Sequence, residues 1–345
     1  MMGPMAYDAF LLLSFGGPEH PDDVLPFLRN VTRGRGVPPE RLAEVAEHYQ
    51  HFGGVSPINQ QCRDLLAAIR ADFAAHDLDL PVYWGNRNWT PMLADTLAAM
   101  RDDGVRHALA LATSAYGGYS SCRQYYEDID AARAAVGEGA PEVDKLRHFA
   151  DHPGFVRPHA EAVRDALAAL DPGRRDSTRL VFTAHSIPVS MAVTAGPDGG
   201  RYEAQLRETA ALVAEGAGAD VPYDLVWQSR SGPPQVPWLE PDVNDHLVAL
   251  ADTGVTAVVV SPIGFVSDHL EVIWDLDTEA AATARKLGLE YVRAGTPGVH
   301  PAFVSMVREL VRERLAPDTS PRLRLGNLPA WDTCPGHCCP RPRRA

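Results

Sequence analysis

Short apolar runs alternate with longer amphipathic stretches along the whole chain. Apolar runs, most of them with β-branched or aromatic content, at 9–15, 81–84, 108–112, 180–183, 225–228, 257–260 and 291–293 read as buried strands. Helical spacing of apolar positions marks 21–31, 40–50, 57–75, 92–101, 121–136, 158–170, 203–217, 243–251, 271–287 and 301–315. This alternation predicts an α/β fold: two Rossmann-like lobes, each a parallel sheet flanked by helices. Gly, Pro and charged residues accumulate over 137–151 and divide the chain there. The expected units are an N-terminal lobe at 1–150, a C-terminal lobe at 151–320 and a cysteine-containing extension at 321–345. In such folds ligands bind beyond the carboxyl ends of the strands, so a cleft between the lobes is the place to look for a site. No GxGxxG follows the first strand and no GxxxxGK[ST] occurs, so neither a dinucleotide site nor a P-loop is indicated.

A chain of 345 residues with 45% hydrophobic and 22% charged residues has room for two ordinary domains. No apolar run approaches the roughly 18 residues of a membrane span, and 1–15 lacks a basic n-region. The expectation is a cytoplasmic, monomeric protein without a transmembrane segment. A net charge of −13 disfavours nucleic acid as a partner and repels anionic ligands. Arg29, Arg33 and Arg35 cluster in one short stretch and could offset that repulsion; a solvated turn is the equally weighted reading of them.

The densest chemistry lies in Ser267-Asp268-His269-Leu270-Glu271, followed by Asp275 and Glu279. On an α-helix the three carboxylates fall at i, i+4 and i+8, a single stripe. Like charges so spaced repel by roughly 0.2–0.5 kcal/mol per exposed pair. Such a row suits a path for a divalent cation; it equally suits the wet face of an amphipathic helix, whose apolar face Val272, Ile273, Leu276 and Ala280 would supply. A second segment, Phe182-Thr183-Ala184-His185-Ser186-Ile187-Pro188, delivers His185 to a strand end, where it is a general base, a metal ligand or a turn residue satisfied by backbone. The run ending in Ser261-Pro262-Ile263-Gly264 brings the acidic helix to a strand end in the same way, so His185 and Glu271 are expected to face each other. The five cysteines are unevenly spread: Cys62, Cys122, and then Cys334, Cys338 and Cys339 together. An odd count argues against a secreted disulfide framework.

These segments carry a resemblance. Ser14-Phe15-Gly16-Gly17-Pro18-Glu19, Gly53-Gly54-Val55-Ser56-Pro57, the His185 segment, Val226-Trp227-Gln228-Ser229-Arg230-Ser231-Gly232-Pro233 and the stretch from Pro262 to Glu271 match ferrochelatases in order. The resemblance spans nearly the whole chain. It implies an enzyme of haem biosynthesis that inserts ferrous iron, its substrate, into a porphyrin held between the lobes. It places His185 and Glu271 at the insertion site, extends the metal path through Asp275 and Glu279, and assigns porphyrin carboxylate contacts to Ser56 and Tyr125. It further implies a [2Fe–2S] cluster on Cys122, Cys334, Cys338 and Cys339, a distribution similar to that of actinobacterial members acting on coproporphyrin III. Two-carboxylate protoporphyrin IX is the alternative substrate. The other readings are a non-catalytic haem or iron–sulfur sensor and a cobalt chelatase. For the thiols, an all-cysteine zinc site, a vicinal disulfide, free thiols and a His337 ligand stay open. Two positions depart from the family: Phe15 stands where some bacterial members have an iron-ligating Tyr, and Thr32 where those have Arg.

Overall fold

A computed structural model describes residues 7–34, 36–336 and 338–341; Arg35 and His337 therefore lie outside the described residues. Two four-stranded sheets form the frame. The first comprises β1 (Ala9–Ser14), β2 (Val82–Asn86), β3 (His107–Ala112) and β4 (Glu142–Lys145), in the order β2-β1-β3-β4. The second comprises β5 (Thr178–His185), β6 (Tyr223–Gln228), β7 (Ala257–Ser261) and β8 (Glu290–Arg293), in the order β6-β5-β7-β8. All pairings are parallel, and the two sheets repeat one topology. The central strands are buried along their whole length, as β1 and β7 show, because helices cover both faces.

The sequence expectation and the structure differ in several places, three of which bear on the site and its frame. The segment read as a divider contributes β4, an edge strand whose sequence, Glu-Val-Asp-Lys, gives no apolar run. The helix expected to begin at Pro158 begins at Pro153, capped by the His152 side chain, and carries Pro158 within it. The acidic helix is not one α-helix: Leu270–Val272 is α, Ile273–Ala280 is π-helical, and Ala281–Leu287 returns to α. Such wide turns are rare and concentrate at functional sites.

One hydrophobic core runs through both lobes, joining Phe10 and Leu109 of the first to Phe155, Phe182 and Phe303 of the second. Fully burying each such side chain is worth roughly 1.5–3 kcal/mol. The helix Pro301–Leu315 folds back onto the first lobe, where Arg308 pairs with Asp72 at 2.7 Å. Behind it, Arg147 and Glu313 form a buried bidentate pair at 2.7 and 2.8 Å. Among the described residues, no helix is long and apolar enough to cross a membrane.

One backbone approach ties the fold to its rim. The loop after β7 presses on β5, and a Cβ added at Gly264 would lie 2.7 Å from both Cα and Cβ of Ala184. Gly264→Ala is expected to lower stability by about 1–3 kcal/mol and, by lifting the loop away from His185, to cost activity as well. Denaturant midpoints alongside turnover check both.

Candidate active site

His185 ends β5, and the loop after the neighbouring β7 leads into Glu271. Because β5 and β7 pair directly, their carboxyl ends adjoin. His185 Nε2 and Glu271 Oε1 stand 3.8 Å apart, too far for a direct hydrogen bond. His185 Nδ1 is bonded to the carbonyl oxygen of Ser186. A carbonyl only accepts, so Nδ1 carries the proton and Nε2 is the basic nitrogen turned toward Glu271. Ser186 is itself fixed: its N–H donates to Gln228 O at 2.7 Å and its hydroxyl to Leu239 O at 2.8 Å.

Asp275, one turn on, joins the pair. It accepts from Gln228 Nε2 at 3.2 Å and from the hydroxyl of Ser229. Ser229 holds a left-handed backbone, φ 62°, which is uncommon for a residue with a Cβ and marks a strand end bent to serve the site. Sequence reasoning gave Gln228 and Ser229 no role, although both lie in a motif already noted.

The third carboxylate lies at the exposed end of the row. Glu279 is exposed, and its Oε1 accepts from the Trp274 indole at 2.9 Å. That indole stacks on His48 of the opposite lobe with centroids 3.9 Å apart and planes 10° apart, and meets His51 edge-on at 5.6 Å. Helix Pro39–His51 thus bounds the crevice from the N-terminal side. Tyr49 on the same helix is close enough to Glu271 that its carboxyl, after burial, raises the phenol's pKa. An aromatic residue amid acidic positions was the sequence signal for this contact, and it went unread.

Ser56 and Tyr125, the two residues matched to porphyrin contacts, are each only 4% exposed. Ser56 sits against Gly17, and the Tyr125 ring lies 4.5 Å from the Arg87 guanidinium. Phe15 packs edge-on to Phe27 and near Arg87, and the Thr32 hydroxyl caps Leu28 O at 2.7 Å. Arg29 and Arg33 are exposed and make no ion pair among the described residues.

The electrostatics follow from depth. Glu271 is reached by solvent, its side chain 43% exposed, yet protein surrounds it on the crevice floor. Desolvation there raises its pKa from 4.5 to about 7. Asp275 is raised to about 7 by desolvation and then by the Glu271 charge, against the hydrogen bonds from Ser229 and Gln228. His269 is held neutral by burial and by His185, its pKa lowered to about 3, and its Nδ1 accepts from Val272 N–H. The site therefore combines a basic imidazole nitrogen with two carboxyls that resist sharing negative charge, suited to proton transfer and to transient hold of a divalent cation.

The thiols converge some way off. Cys122, on the π-turn Tyr119–Arg123, is a free thiol beside Cys334, which neighbours Cys338. Cys338 and Cys339 sulfurs are 3.4 Å apart, and Gly196 N–H donates to Cys339 Sγ at 3.1 Å. The Cys334 contact lowers the Cys122 pKa well below 9, with Lys145 and His148 assisting, while the same contact and burial raise that of Cys334. Among the described residues no three His, Cys, Asp or Glu side chains form a group that could hold a metal ion as they stand; the thiols touch one another instead. Cys62 is apart, in the core, its pKa pushed up to about 11 by burial.

Comparison with known proteins adds the following. The ferrochelatase family model matches residues 7–315. The chain is 58% identical over 350 residues to a Nocardia farcinica protein named coproporphyrin III ferrochelatase, covering 99% of this chain and 98% of that one. A Streptomyces griseus protein of the same name is 54% identical over 353 residues, covering 98% and 94%. Among solved structures, SirB from Bacillus subtilis with Fe3+ gives a TM-score of 0.55 at 13% identity, over 90% of this chain and 96% of that one. At that identity the likeness is one of fold.

The raised carboxyl pKa values set a pH dependence. A carboxyl with a higher pKa folded than unfolded binds more protons in the native state, so stability falls as pH rises from about 4.5 toward 7. Glu271→Gln removes the ionisation. Its melting midpoint is expected to match the parent at pH 5 and to exceed it at pH 8; a difference independent of pH would refute the strain on Glu271.

Proposed function

This chain belongs to the ferrochelatase family, and on that premise we propose that it inserts ferrous iron into coproporphyrin III, giving coprohaem, as a cytoplasmic monomer in haem biosynthesis. The observation that carries the reading is the His185–Glu271 pair, 3.8 Å apart at adjoining strand ends. The choice of coproporphyrin is supported by the names of the relatives and by Arg29 and Arg33, exposed cations suited to a substrate with four carboxylates.

A free-base porphyrin gives up two pyrrole protons as the metal enters. His185 Nε2, kept basic by its Nδ1 bond to Ser186, takes one. Glu271, whose raised pKa lies in the neutral range, takes the other or holds the incoming iron. Asp275 continues the acidic path, and Glu279 stands at its outer end beside Trp274. A site of imidazole and carboxylate without thiolate binds ferrous iron weakly enough to release it to four ring nitrogens.

We further propose that Cys122, Cys334, Cys338 and Cys339 hold a [2Fe–2S] cluster. Four converging sulfurs are the donor set such a cluster needs. The 3.4 Å separation of Cys338 and Cys339 is near the ~3.8 Å between two thiolates on one tetrahedral metal with bonds of about 2.3 Å. Bound, the cluster supplies a one-electron centre and a crosslink between the tail and the first lobe.

An anaerobic assay with ferrous iron and each porphyrin tests the reaction. Coproporphyrin III is expected to be metallated in preference to protoporphyrin IX, and the reverse order would overturn the substrate assignment. His185→Ala is expected to lose about 10²–10⁴-fold in turnover with porphyrin binding retained. For the thiols, Cys338→Ser is expected to bleach the visible absorbance of anaerobically purified protein; unchanged absorbance removes Cys338 from the ligand set.

A further inference from the structure

Two buried tyrosines, neither of which touches the crevice, each grip one of the segments that carry the reacting pair. Tyr202, 6% exposed and second in helix Arg201–Ala217, donates its hydroxyl to the carbonyl oxygen of His185 at 2.9 Å. Tyr116, 1% exposed and arriving from the first lobe after β3, donates to the carbonyl oxygen of Ile263 at 2.7 Å. Ile263 lies just past β7 on the loop that leads to Glu271. The two rings meet edge to face, centroids 6.3 Å apart, and Tyr202 stacks on Trp227 of β6 at 6.0 Å. Burial raises both hydroxyls above their ordinary pKa, so both remain donors.

We infer that Tyr116 and Tyr202 form a bracket that sets the separation of His185 and Glu271, and that both are positioning residues for metal insertion. The leverage is specific. The peptide between His185 and Ser186 is held from both sides, its oxygen by Tyr202 and its nitrogen by Gln228 O. The next carbonyl, that of Ser186, fixes the imidazole tautomer. Releasing the Tyr202 bond lets that peptide rotate and carries the Nδ1 anchor with it. Releasing the Tyr116 bond frees the β7 loop, and with it the start of the acidic helix. Because the rings touch, a shift at one tyrosine reaches the other, so the two strand ends move as one unit. The inference rests on the assignment of His185 and Glu271 as the inserting pair, and does not depend on what the thiols hold.

Tyr202→Phe and Tyr116→Phe keep the rings and remove only the hydroxyls. Each is to be assayed in the full chain with coproporphyrin III and ferrous iron, beside His185→Ala and with melting followed in parallel. Each Phe variant is expected to lower kcat by about tenfold while leaving KM for the porphyrin within about twofold, the mark of misplacement without lost binding. The double variant is expected to lose less than the product of the single losses, since both act on one separation. Parent-like kcat in either cooperatively melting variant overturns the bracket, as does a rise in KM at unchanged kcat. Either variant suffices alone if the other does not fold. An inactive His185→Ala beside fully active Phe variants defeats only the bracket; an active His185→Ala defeats the assignment beneath it.

Discussion

Direct pairing of β5 with β7 is the constraint on which the site depends. Parallel neighbours end at the same edge of a sheet, so whatever follows each strand is delivered to its partner's side. Here one strand ends in an imidazole and the other runs into a row of carboxyls. No long loop is needed to bring them together, and the central strands beneath are buried on both faces. The geometry of a few ångströms at the rim is thus inherited from a frame that scarcely deforms.

That frame is shared by the two lobes. The continuous core and the helix Pro301–Leu315, which starts beyond the second sheet and packs on the first lobe, join them along one side. Contact across the crevice is different in kind: the stack of Trp274 on His48 is a local bridge between opposing walls. The lobes are fused behind the site and touch lightly in front of it, a suitable arrangement for admitting a flat macrocycle. Burial also works against charge within the crevice, so the carboxyls nearest His185 hold protons that an exposed acid would have lost.

Much of this was legible in the residues. Seven of the strands announced themselves because buried parallel strands are apolar throughout, and the meeting of His185 with Glu271 followed from two strand-end segments. β4 was not legible, since an edge strand of Glu142-Val143-Asp144-Lys145 has the composition of a linker. Nor was the π-helix: local sequence periodicity assumes 3.6 residues per turn and cannot register a wider one. Glu279, expected to continue the row of Glu271 and Asp275, bonds the Trp274 indole, a contact that the spacing did not suggest. The roles of Ser229 and Gln228 depend on a backbone bend and a neighbouring element, which no spacing rule encodes. The burial of Ser56 and Tyr125 is likewise something that a motif match does not carry.

The wide turn at Ile273–Ala280 has an evolutionary corollary. A π segment is an α-helix that has accepted an extra residue, and each residue in an α-helix turns the chain by about 100°. Excising one residue there would let the segment relax to ordinary winding with the flanking turns kept in nearly the same orientation, so the change would fall on which residues within 273–280 face the crevice. The aim of the acids within the wide turn depends on the count of residues as well as on their identity. A single-codon deletion within this stretch would therefore re-aim Asp275 and Trp274, which lie inside it, while leaving the helix on either side in place.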